Sequence, residues 1–179
     1  GNATRNRIAG VDLVISSATA WNPNANGSVK ALASNGAVIY AGGSFSNVGG
    51  MDSHANIAAV DSGNGKVLAW GPDANLPVRA LALGPGGLYA GGDFTTVGLQ
   101  GRNYIAAIDT VTGNPTAWNP NAGAAVRSLV VNGSVVYAGG DFANIGGAAR
   151  NRLAALDATL GTASAWNPDM GGVVRALAL

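Results

Sequence analysis

The chain repeats itself every 48 to 49 residues, and that period limits it to architectures in which one unit stacks on its neighbours. Trp21, Trp70, Trp118 and Trp166 mark the phase. Asp12, Asp61, Asp109 and Asp157 keep the same interval, as do Ile8, Ile57, Ile105 and Leu153. Val29, Val78, Val126 and Val174 recur with it, each followed three places on by Leu32, Leu81, Leu129 or Leu177. Tyr40, Tyr89 and Tyr137 follow in phase, and after them Phe45, Phe94 and Phe142. A unit of this size cannot bury its apolar face alone, so successive units must complete one another's core.

Each period reads as four short strands. The first begins near Val29, Val78, Val126 and Val173, in runs such as Val-Arg-Ala-Leu-Ala. Asn35-Gly36 and Asn132-Gly133 then predict tight type I′ hairpins, while Gly84-Pro85-Gly86-Gly87 predicts a longer connection. The second strand carries Tyr-Ala-Gly-Gly and leads into a glycine-rich loop such as Asp141 to Arg150. The third strand ends at the recurring Asp. A turn ending in Gly65, Gly113 or Gly161 leads to the fourth, which Pro23, Pro72, Pro120 and Pro168 terminate because proline has no amide to donate. All nine acidic residues are Asp, and Lys occurs only at positions 30 and 66, so the good helix formers are scarce.

Four strands per unit of this length is the pattern of an all-β fold, a β-propeller built from four-stranded antiparallel blades of 48–49 residues. Residues 1–179 read as a single β-propeller repeat region. It holds three complete blades, at approximately 28–72, 77–120 and 125–168, and one incomplete blade assembled from 7–23 and 173–179. A β-solenoid is the competing geometry, although its rungs are usually even and lack hairpins. Because the incomplete blade has no second strand, two expectations stand. The chain is a piece of a longer propeller, or copies self-associate through open blade edges.

Charge and composition exclude several functions. A net charge of +1, with charged residues at 11%, offers no electrostatic footprint for nucleic acid. Hydrophobic residues at 47% exclude intrinsic disorder, yet no apolar run is long enough for a membrane span. The lack of Cys removes disulfides, thiolate metal sites and thiol nucleophiles. His54 is the only histidine, and no nucleophile elbow or zinc-ligand set accompanies it.

The recurring Asp residues read as caps of the turn between strands three and four, more simply than as a ring of metal-binding carboxylates. Lys30, Arg79, Arg127 and Arg175 recur inside strand one, where they either line a channel or pair with Asp. The four Trp read as packing between blades rather than as sugar platforms. Asp93 and Asp141, with Ser44 in phase, open the long loops after strand two, and these loops are the best candidates for a binding face. The candidate ligand-binding residues are therefore Asp93, Phe94, Asp141, Phe142, Ser44 and His54, with no catalytic residue, metal or cofactor. Three glycosylation sequons, at Asn2, Asn26 and Asn132, read as incidental.

Trp-Asn-Pro-Asn-Ala, Val-Arg-Ala-Leu-Ala, Tyr-Ala-Gly-Gly-Asp-Phe, Arg-Asn-Arg and the Asp-x-x-x-Gly turn together resemble the delta-60 repeat. More distantly they resemble kelch and quinoprotein-type repeats. The resemblance spans nearly the whole chain. It departs at Gly71, at Ser44, at His54-Ala55-Asn56 and in the first turn, Leu13 to Ser16, which has no Gly. It implies a propeller from a bacterial protein that is secreted or on the cell surface, with no agreed catalytic residue. The resulting expectation is a non-enzymatic scaffold or recognition module that binds a protein or glycan through the loops after strand two. The alternatives are a lectin-like propeller, or part of a glycan hydrolase or lyase whose active site lies elsewhere.

Overall fold

A computed structural model describes residues 4–50 and 54–179. Asn2 of the first sequon and Met51-Asp52-Ser53 of the first long loop lie outside the described residues. Every regular element among the described residues is a β-strand. The hairpin of β1 (Val11–Asp12) and β2 (Ser17–Ala18) comes first. Three antiparallel sheets follow, the first from β3 (Ser28–Ser34), β4 (Val38–Ser44) and β5 (Ile57–Asp61). The second joins β6 (Val78–Gly84), β7 (Gly87–Gly92) and β10 (Ile105–Ile108), its long loop carrying a small hairpin of β8 (Thr96–Val97) and β9 (Gln100–Gly101). The third joins β11 (Val126–Asn132), β12 (Val135–Gly140) and β15 (Leu153–Asp157), its loop carrying β13 (Asn144–Ile145) and β14 (Ala148–Ala149).

The sheets have three strands where the sequence predicts four. The fourth segment adds one bridge in each repeat, at Val60–Val67, Ile108–Pro115 and Leu156–Ala163. Two main-chain hydrogen bonds flank the first of these, Asp61 N–H to Lys66 C=O and Leu68 N–H to Ala59 C=O. Beyond them the chain turns away because the next Trp is committed to the following repeat.

Two of the hairpins also differ from the expected form. Asn35 and Asn132 keep negative φ, so neither turn is type I′. Asn35 accepts the amides of Ala37 and Val38 with its side chain instead. Gly133, at φ 56°, is the first of two residues between the paired Asn132 and Val135, the place where a type II′ turn wants glycine. Pro85-Gly86 makes an equally short connection between paired Gly84 and Gly87.

The core lies between the sheets. Ile57 and Ala59 face the second repeat, packing with Val78, Leu88 and Ala90. Ala58 and Val60, alternating with them, face the N-terminal segment and pack with Ile8, Trp21 and Phe45. β10 divides the same way, Ala106 and Ile108 to one side, Ile105 and Ala107 to the other. Strands buried on both faces explain why the third strand is apolar throughout. The glycine of each second strand lets the next repeat approach. A Cβ on Gly42, Gly91 or Gly139 would come within 2.6, 2.6 and 2.5 Å of a methyl of Val78, Val126 and Val174.

A tryptophan latch crosses each boundary. The indole N–H of Trp21 donates to the Asp61 carbonyl at 2.9 Å, Trp70 to Asp109 at 2.9 Å and Trp118 to Asp157 at 2.8 Å. Within its own repeat the ring meets the second-strand tyrosine edge-on, at 5.0 Å for Tyr40–Trp70 and 4.8 Å for Tyr89–Trp118. The Asp side chains cap their turns as expected. Asp109 Oδ1 accepts from the amides of Val111 and Thr112 and from the Thr112 hydroxyl, and Asp157 Oδ1 from those of Thr159 and Leu160. These bonds hold both carboxyls below the usual carboxylate range. Ser16 supplies the left-handed φ of 51° that glycine provides in the other turns.

Candidate functional site

Each first strand carries its cation at an irregularity in the ladder. Pairing with the second strand skips from Val29 to Ala31, from Val78 to Ala80 and from Val126 to Ser128, so Lys30, Arg79 and Arg127 each sit on a bulge. A bulge re-aims one side chain without breaking the sheet. The result is a cavity of about 380 Å³ lined by four side chains, those of Lys30, Arg79, Arg127 and Arg175.

Two of these cations are paired inside their own repeat. Arg79 grips Asp93 through Nε and Nη2, at 2.7 and 2.6 Å. Arg127 grips Asp141 with Nε at 2.9 Å and Nη2 at 2.5 Å. Such bidentate forks are the strong form of the Arg–carboxylate interaction. The Arg127 guanidinium holds the Asp141 carboxyl below its usual range, helped by the charges of Arg175 and Arg79, and Asp141 in turn raises Arg127. All four side chains of the two pairs keep between a quarter and a third of their surface exposed, so solvent screens them. The first repeat lacks this arrangement. It has Ser44 where the others have Asp, and Lys30 has no carboxylate partner among the described residues.

The Asp that forms each pair is also the first residue of the long loop, so the cavity wall anchors the loop base. Phe94 and Phe142 follow and are fully buried, plugging the space beneath the loop rather than facing a ligand. Their main-chain carbonyls accept the amides of Tyr104 and Arg152, which closes the loop. Asn26 and Asn75 pin the near side of the first two loops by accepting amides from Ser46 and Asn47 and from Thr95 and Thr96. The third repeat has Gly123 at that place, close against Asn144.

Of the six residues expected to bind ligand, Asp93 and Asp141 therefore meet at the cavity, Ser44 occupies the equivalent place in the first repeat, and Phe94 and Phe142 are core. His54 sits elsewhere. Its Nε2–H donates to the Leu68 carbonyl at 2.8 Å, the place Arg102 and Arg150 take against Thr116 at 2.7 Å and Ser164 at 2.6 Å. It is a structural tie between loop and fourth segment.

Sequence reasoning missed the role of the Arg-Asn pair before the third strand, Arg102-Asn103 and Arg150-Asn151. Its Asn binds the residue after Trp-Asn-Pro in the following segment, Asn103 to Asn121 at 2.7 Å and Asn151 to Asp169 at 2.5 Å. Asn121 and Asp169 both adopt left-handed φ, at 53° and 50°. The joint recurrence of the two motifs was the available signal. Among the described residues no group of His, Cys, Asp or Glu is arranged to hold a metal ion, and no helix is long and apolar enough to cross a membrane. Compared with known proteins, the chain matches no family model and no curated protein.

Proposed function

We propose that the chain forms part of a β-propeller and acts as a non-enzymatic recognition module, secreted or on the cell surface of a bacterium, as its resemblance to the delta-60 repeat implies. The cavity carries this reading. Stacked sheets are spaced about 10 Å apart, so equivalent residues of four units in a straight stack would span about 30 Å. Three successive first strands, β3, β6 and β11, and the segment that holds Arg175 instead line one common space, which fits strands converging on an axis. β3 lies beside β6 and β6 beside β11, in keeping with a row of inner strands.

The long loops rise from the rim of that space. Each is anchored at its base and exposes residues that differ between repeats, among them Leu99 and Gln100 in the second loop and Ala149 in the third. An apolar side chain as fully exposed as Leu99, held on a braced loop, suits contact with a protein or glycan surface. The recurring polar residues are occupied in repeated structural bonds, which leaves the loop tips to distinguish partners.

The test is a screen of the isolated chain on glycan arrays and against immobilised proteins of the source cell surface. Binding should be abolished by Leu99→Asp and Ala149→Asp, neither of which touches the core. Binding indifferent to both variants, or turnover of a polysaccharide by the chain, would overturn the proposal.

A further inference from the structure

We propose that the cavity formed by Lys30, Arg79, Arg127 and Arg175 is a binding site for a small multivalent oxyanion. The shared chemistry is two or more negative charges carried on oxygen, as in a phosphate, a sulfate or a polycarboxylate. The site is distinct from the loop tips, whose exposed residues do not line it, and it stands whether or not the loops bind a partner.

Four observations carry it. The first is charge. Four cations face one space; Asp93 and Asp141 answer Arg79 and Arg127, while Lys30 has no acid beside it among the described residues. Like charges that line one space repel, and an anion between them relieves that repulsion. The second is donor geometry. Arg79 and Arg127 spend Nε and Nη2 on their carboxylates, while Nη1 of each donates to no acceptor among the described residues. A guanidinium fork with spare donors matches oxygen-rich anions.

The third is a local break in the repeat. Arg and Asp pair in the second and third repeats, whereas the first replaces both, with Lys30 and Ser44. Lys30 thereby keeps its full charge available, on an exposed and flexible stem that can close over a ligand. The fourth is size. The space of about 380 Å³, open to solvent, admits phosphate, sulfate or a small tricarboxylate with some of its hydration.

Isothermal titration at low ionic strength tests the site with inorganic phosphate, sulfate and citrate, and with chloride as the monovalent control. At least one multivalent anion should bind saturably, one per chain, and chloride should not. The pattern among the three probes separates phosphate or sulfate chemistry from carboxylate chemistry. Lys30→Met removes a charge-assisted contact and should weaken binding about tenfold or more. Ser44→Asp gives the first repeat the acid of the other two, pairs Lys30 and should weaken binding similarly. Lys66→Met removes the same charge outside the cavity and should leave affinity unchanged. Circular dichroism and a thermal melt check each variant, and Ser44→Asp carries the test if Lys30→Met does not fold. No saturable binding of any of the three up to about 10 mM overturns the proposal. So does an equal loss in Lys66→Met, or unchanged affinity in the folded cavity variants.

Discussion

Replacing Trp118 by Phe isolates the latch that joins the second repeat to the third. Trp118 is 4% exposed, and its indole N–H donates to the Asp157 carbonyl at 2.8 Å. Phe keeps an aromatic edge against Tyr89 but removes the donor, so the half-buried carbonyl keeps only the Gly161 amide that also bonds to it. Losing one of its two bonds costs about 0.5–1.5 kcal/mol. The smaller ring adds a void of roughly 40 Å³, worth about 1 kcal/mol. The expected destabilisation is therefore about 1.5–2.5 kcal/mol.

Trp166→Phe is the internal control. Trp166 also lies edge-on to its tyrosine, at 5.6 Å from Tyr137, yet it is 46% exposed and its indole N–H has no acceptor among the described residues. Its replacement should change stability by no more than about 0.5 kcal/mol. Urea unfolding followed by far-UV circular dichroism measures both variants. Stacked repeats can open one interface at a time, so hydrogen exchange at Gly161 and its neighbours should report the loss locally. Equal losses in the two variants, or a Trp118→Phe effect within about 0.5 kcal/mol, would refute the view that the donor to the next repeat, rather than ring packing within one, is what these tryptophans supply.

Gly91→Ala places a methyl 2.6 Å from Val126 Cγ1, whose side chain is fully buried, so the second and third sheets must separate. A cost of about 1–3 kcal/mol is expected in the same unfolding assay, and a neutral substitution would mean the interface is loose. Acid should destabilise the fold through Asp109, Asp141 and Asp157, whose folded-state carboxyls all titrate below their ordinary range. Their stabilisation is fully present above the unfolded pKa of about 4 and is lost as pH falls through the lower folded values. A melting temperature that stays level on acidification through that window would contradict the turn and ion-pair assignments. At the other extreme, burial raises the Tyr40 and Tyr89 hydroxyls, so their stabilisation is present below pH ~10 and is lost as pH climbs through the higher folded values.

The period, the three strands of each unit and the Asp-capped turn were legible because each depends on residues near one another in sequence. Asp109 caps amides two and three residues away, and alternating small and apolar residues in Ile105–Ile108 already announce a strand buried on both faces. The hairpin types were misread because the Asn-Gly pattern does not reveal which residue takes the positive φ. At Asn35 a side-chain bond to Ala37 and Val38 settles the question in favour of negative φ. The short fourth strand was equally hidden, since its sequence is strand-like up to a Trp whose partner lies 39 residues further on.

The candidate site divides the same way. Recurrence alone located the cations and the acids fourteen residues after them, and it offered pairing and a shared channel as rival accounts. Packing realises both, because the bulges at Arg79 and Arg127 turn them toward a common space while the Asp just past the adjoining strand remains within reach. The unit and its internal contacts are written locally in the chain. How many cations meet in one place depends on the angle between successive sheets, which the glycine-to-valine approach at each boundary sets and no single unit contains.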